Sequence, residues 1–132
     1  MRLHAQWTTA IAWCVVFWAC HSHPTPVATD VAAERKIAFD LEAIDDQGLR
    51  GGPGALRSVG YEFCIPADPA AREEVTAIDP TLSCHEGSPG RIGCREDRWL
   101  CMGNSHQPDF RGVLVRLAKL PYVERIEESH FE

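Results

Sequence analysis

Positive charge is scarce in this chain. Two lysines and eleven arginines stand against 19 acidic residues, a formal net charge of −6 over 132 residues. Nucleic acids are held by neutralising phosphates with a concentrated basic patch, and here the basic residues are scattered and outnumbered, so nucleic acid is excluded as a partner. Arg91, Arg95 and Arg98 make one short basic run, but Glu96 and Asp97 lie inside it, which predicts a solvated, internally paired loop.

Other signals are missing as well. No apolar run reaches the roughly 20 residues that a membrane-spanning helix needs. Gly51-Gly52-Pro53-Gly54 is not followed by the Gly-Lys-Ser/Thr of a phosphate loop, and no strand-loop-helix spacing of the dinucleotide type surrounds it, so it reads as a turn or hairpin loop. There is no Cys-x-x-Cys for thiol exchange and no internal repeat. The chain is therefore expected to carry no cofactor and no catalytic motif of recognisable spacing.

What is present begins with an export signal over residues 1–19. Arg2 and His4 give it a weakly positive start, and AIAWCVVFWA at residues 10–19 is apolar, uninterrupted and closed by a small residue. Its length suits a cleaved leader rather than a span. Three of the four tryptophans lie in it, leaving Trp99 to the mature domain.

The stretch Phe17-Trp18-Ala19-Cys20 resembles the lipobox of bacterial lipoproteins, in which an apolar residue and two small residues precede a lipid-modified Cys. Ala19 and Cys20 match, whereas Phe17 stands where Leu is usual and Trp18 where Ala or Ser is usual. The resemblance implies a mature chain that starts at Cys20 and is held at a membrane by its acyl chains, more firmly than one chain could hold it. Residues 20–33 then read as the lipid-bearing Cys and a flexible tether containing His21, His23, Pro24 and Pro26. Simple secretion, as a soluble or periplasmic protein, is the alternative.

Residues 34–132 have the length of one domain, close to the usual size of roughly 100 residues. Alternation over residues 36–43 predicts a half-buried strand with Ile37, Phe39 and Leu41 on one face. A second strand is expected over residues 59–66, with Tyr61, Phe63 and Ile65 facing one way and Glu62 and Cys64 the other. Asp68-Pro69 suits a helix start, followed by about two turns over residues 70–75. Residues 97–102 can form a strand. The clearest helical period lies in residues 107–120, where Phe110, Val113, Leu114, Leu117 and Leu120 recur on one side, with Pro121 as a stop. Residues 122–131 have the composition of a charged, solvated edge strand, in which His130, Glu124, Glu127 and Glu128 are exposed. The expected fold is α+β: a small, mostly antiparallel sheet with one amphipathic helix packed on it and a disulfide-stapled loop.

That loop runs through residues 84–106, where three cysteines and two histidines are compressed among glycines. An even set of four cysteines after the leader, Cys64, Cys84, Cys94 and Cys101, is the signature of two disulfides in an exported domain. Three pairings are open. Cys64 with Cys101, each in a strand, and Cys84 with Cys94, closing the loop, is the preferred one. Metal-ligand pairs usually sit two to four residues apart, closer than any of these, so no metal site is expected. His85 and His106 are the residues there that disulfides leave unexplained, and they are the candidate ligand contacts.

The sequence therefore points to a small exported, lipid-anchored envelope protein that binds something, with a membrane held through the lipid and an envelope protein as its partners. The competing class is a metal-binding or thiol-dependent enzyme built on Cys84, His85, Cys94, Cys101 and His106. Mass spectrometry of the mature protein is expected to find lipid-bearing Cys20 at its amino terminus, and a chain that begins elsewhere would remove the anchor.

Overall fold

The computed structural model describes residues 28–130. The expected leader, Cys20 and most of the expected tether lie outside the described residues. Nine elements follow one another: α1 (Ala28–Glu34), β1 (Leu49–Arg50), β2 (Arg57–Ser58), β3 (Gly60–Pro66), α2 (Pro69–Ile78), β4 (Ser83–His85), β5 (Arg98–Asn104), α3 (Phe110–Lys119) and β6 (Glu127–Ser129). The last four strands to form a sheet are ordered β4-β5-β3-β6 and pair antiparallel throughout, while β1 and β2 make a separate small hairpin. The α+β class is as expected.

β3 is the centre of the sheet, and its alternation decides where the core lies. Tyr61, Phe63 and Ile65 are fully buried on one face. Against them pack Val75 of α2 and the apolar stripe of α3: Phe110, Val113, Leu114, Leu117 and Ala118. Burying such side chains contributes about 1.5–3 kcal/mol each, the main term holding the helices to the sheet. The Asp68 carboxylate caps α2 by accepting the Ala70 amide at 3.0 Å, with Pro69 at the first helical position.

Three local expectations are corrected. Residues 36–43 are not a strand: Ile37 makes only an isolated parallel bridge to Ile126, and the chain then turns at residues 41–44. The Asp40 carboxylate takes the Glu42 amide and Arg111 takes the carbonyls of Leu41 and Ile44, so turn bonds replace a ladder. The apolar alternation still serves the core, with Ile37 buried and Phe39 and Leu41 packed against it. Residues 28–33, expected as the end of the tether, are helix. Ala33 is buried, and Asp30 forms an ion pair with Lys119 of α3. The edge strand expected over residues 122–131 is confined to Glu127–Ser129, because Val123 and Ile126 turn inward and are fully buried.

The hairpin is tied to the segment just past β5, first of all by Ser105. Ser105, fully buried, receives the Val59 amide on its hydroxyl at 2.8 Å and donates to the Gly48 carbonyl at 2.6 Å. Gly48 has a φ of +79°, and a Cβ there would stand 1.8 Å from the Ser105 carbonyl oxygen. Gly48→Ala is therefore expected to cost about 1–2 kcal/mol from the left-handed backbone alone, before the clash is relieved. Ser105→Ala, which orphans a buried amide and a buried carbonyl, is expected to cost about 1–3 kcal/mol. Thermal unfolding measures both, and a Gly48→Ala protein as stable as wild type would contradict this close approach.

Candidate functional site

The cysteine-rich stretch becomes a lid on the sheet. With α2 and α3 on the Tyr61/Phe63/Ile65 face, the other face of β3, carrying Glu62 and Cys64, would stand in water. Residues 86–97 fold across it. Cys94 is joined to Cys64 and Cys84 to Cys101. The expected pairing of Cys64 with Cys101 and Cys84 with Cys94 is overturned by the register of the sheet. Cys101 lies opposite Phe63 and Cys64 opposite Leu100, so Cys64 and Cys101 point to opposite faces. Cys84 lies directly opposite Cys101 and shares its face. Cys64 is left to reach for the loop.

Two further contacts hold the lid. The Ile92 amide donates to a Glu62 carboxylate oxygen at 2.6 Å, which explains why a glutamate in mid-strand is only 3% exposed. Gly90 comes close enough to Leu100 that a Cβ would meet its Cδ1 at 2.6 Å. At the start of the loop, Arg72 of α2 lies 4.1 Å over the Trp99 ring and pairs with Glu86 at 2.6 Å.

The candidate histidines do not converge. His85 is exposed on β4, opposite Leu100. His106 lies beyond the far end of β5, past Asn104, which at about 3.3 Å per residue leaves roughly 13 Å of strand between the two positions. The His106 ring sits 3.0 Å from the Gln47 carbonyl oxygen, where it helps hold the hairpin base. Among the described residues no group of three or more His, Cys, Asp or Glu is placed to hold a metal ion. The sulfurs that a thiolate nucleophile or a zinc site would use are spent in disulfides, so that chemistry requires reduction first.

Of the basic run, Arg95 pairs inside it, with Asp97 at 3.3 Å, whereas Arg98 leaves it to meet Glu124 at 2.9 Å, so the loop is not closed on itself as expected. Between the lid and the segment that leads into β6 lies a cleft of about 460 Å³. The Cys64–Cys94 disulfide and Ile92 form its apolar wall, and Arg95, Arg98, Glu124 and Arg125 its polar one. Sequence reasoning missed this cleft, since its walls come from three segments far apart in the chain.

It also missed a buried polar knot on the helix face. Asp79, fully buried, accepts from the Tyr61 hydroxyl, from Gln107 Nε2 at 3.0 Å and from the amide and hydroxyl of Thr81 at 2.9 and 2.7 Å. Gln107 also donates to the Asn104 carbonyl at 2.9 Å. The desolvated phenol beside a carboxylate is held far above the usual tyrosine range and stays protonated. The knot joins the end of α2, the approach to β4 and the turn into α3, and its only sequence sign is Asp79-Pro80-Thr81, an Asx-turn pattern. It also explains why α3 starts at Phe110: Gln107 is used in the knot, and Asp109 takes a left-handed φ of 53°.

Comparison with protein-family models, with characterised proteins and with solved structures finds no match to this chain. Two disulfides in so small a domain mark an oxidising, extracytoplasmic compartment. Among the described residues no helix is long and apolar enough to cross a membrane.

Removing the lid's clamp with Cys64→Ser/Cys94→Ser is expected to cost about 2–4 kcal/mol and to raise amide exchange across residues 86–97 while β3 and β5 stay protected. Exchange measured by mass spectrometry checks this, and unchanged protection in the loop would show that the disulfide does not hold it.

Proposed function

We propose that this protein is a small exported binding module, carried at a membrane by a lipid on Cys20, that presents the clamped face of residues 86–97 to a protein partner in the cell envelope. The observation that supports this reading best is the use of all four cysteines of the domain as fasteners. Cys64–Cys94 clamps a Gly-rich loop on one face of the sheet and Cys84–Cys101 joins the neighbouring strands β4 and β5 on the other, so a partner meets a surface whose ordering entropy is already spent. A loop held this way suits recognition, whereas thiol chemistry would need those same sulfurs free.

The lipid reading rests on the likeness of residues 17–20 to a lipobox and on the apolar block before it. Residues 20–27 would then be the whole of the spacer, because α1 begins at Ala28 and packs against α3.

A photo-reactive residue at Arg91, which is exposed on the loop, tests the binding surface in intact envelopes, with the same group at exposed Val31 of α1 as the comparison. One envelope protein is expected to be cross-linked from position 91 and not from position 31. Cys20→Ala is expected to move the protein from the membrane to the soluble fraction and to weaken that cross-link. Equal labelling from both positions, or none from either, would refute the proposed surface.

A further inference from the structure

The geometry points to a ligand site in the cleft between the lid and β6: we propose that it binds the carboxylate group of a small organic acid. This names a ligand for the binding module and rests on that reading. Three of the eleven arginines of a chain with net charge −6 line this one cleft, against a single glutamate. Its volume of about 460 Å³ lies within the range of roughly 300–1,000 Å³ typical of small-molecule sites.

The three arginines differ in how firmly they are held. Arg98 is fixed: its side chain is 17% exposed and its guanidinium donates to the Tyr122 carbonyl at 2.7 Å and to Glu124 at 2.9 Å. Arg95 and Arg125 stand at the mouth, with side chains 71% and 53% exposed, and among the described residues each pairs with a carboxylate two residues along its own segment, Asp97 and Glu127. Such exposed pairs are worth about 0–1 kcal/mol and give way to a better-placed acceptor. Arg125 meets Glu127 through Nε, which leaves the planar fork of its terminal nitrogens to receive an acid group.

The walls choose between kinds of anion. Glu124 is part of the lining, and Asp97 and Glu127 pair with the arginines at the mouth, so a second negative charge on the ligand meets repulsion. Ile92 and the Cys64–Cys94 disulfide offer an apolar surface that a bare inorganic ion does not use. At Gly93 a side chain would meet nothing within 4 Å, so the lid leaves this wall open to solvent and ligand. Together these features favour a singly charged carboxylate on an apolar body over phosphate.

Benzoate and inorganic phosphate, titrated at equal low ionic strength into the oxidised mature protein, test the proposal by amide NMR. Benzoate is expected to shift the Gly93, Cys94 and Arg95 amides saturably and to bind more tightly than phosphate. Arg95→Gln/Arg125→Gln is expected to weaken benzoate binding at least tenfold. Both side chains are exposed, and an unchanged Trp99 emission spectrum and unfolding temperature confirm that the variant folds. Arg116→Gln, on α3 beside Asp109, is expected to bind as wild type does. No saturable shift at these amides, tighter binding of phosphate, or undiminished binding by the double variant would each overturn the site. A cross-link from position 91 without benzoate binding refutes the cleft alone. Benzoate binding without a cross-linked partner supports the cleft and refutes the protein partner.

Discussion

A four-stranded sheet in water has two faces to cover, and the described part of this chain supplies helices for only one. α2 and α3 take the face of Tyr61, Phe63 and Ile65, whose burial is the largest apolar term in the domain. The opposite face carries Glu62, Cys64 and Leu100, and a segment without regular structure must shield it. Residues 86–97 do so with few apolar side chains of their own, and the Cys64–Cys94 bond holds them in place of a core. In a domain of this size, where total stability is about 5–15 kcal/mol, a fastener of about 2–4 kcal/mol is a sizeable share of the whole.

The remaining loops are held by buried polar groups rather than by regular structure. Asp79 collects donors from Tyr61, Thr81 and Gln107, and Ser105 joins Val59 to Gly48. Each is fully buried, so an unmatched partner would cost more than the bond itself gives. These knots hold the hairpin, the approach to β4 and the turn into α3 in place.

For function, the consequence is that rigidity comes first and chemistry second. The residues most reactive in isolation, the four cysteines, are turned into structure, and the two histidines of the same stretch are parted by the length of a strand. What faces solvent is a fixed loop, an arginine-lined cleft beside it and, on the other side of the sheet, helices whose apolar stripes are already covered. Such a surface is compatible with the recognition role proposed above, and an oxidising compartment is the condition under which its fasteners persist.

The sequence by itself determined the features that depend on near neighbours. The period of residues 107–120 marked α3, which runs from Phe110 to Lys119, alternation around Tyr61, Phe63 and Ile65 marked β3 and its buried face, and Asp68-Pro69 marked the start of α2, because helix faces, strand faces and caps are set within a few residues. An even cysteine count after the expected leader was enough to expect two disulfides. Which sulfurs join was not legible, since it turns on the register of β3 against β5, and a shift of one residue sends a side chain to the other face. The same limit hid the turn at residues 41–44, where Arg111 takes up the carbonyls, the knot around Asp79, and the cleft walled by residues from β3, the lid and the approach to β6. Each of these is a meeting of groups distant in the chain, and only the packed tertiary structure brings them within bonding reach.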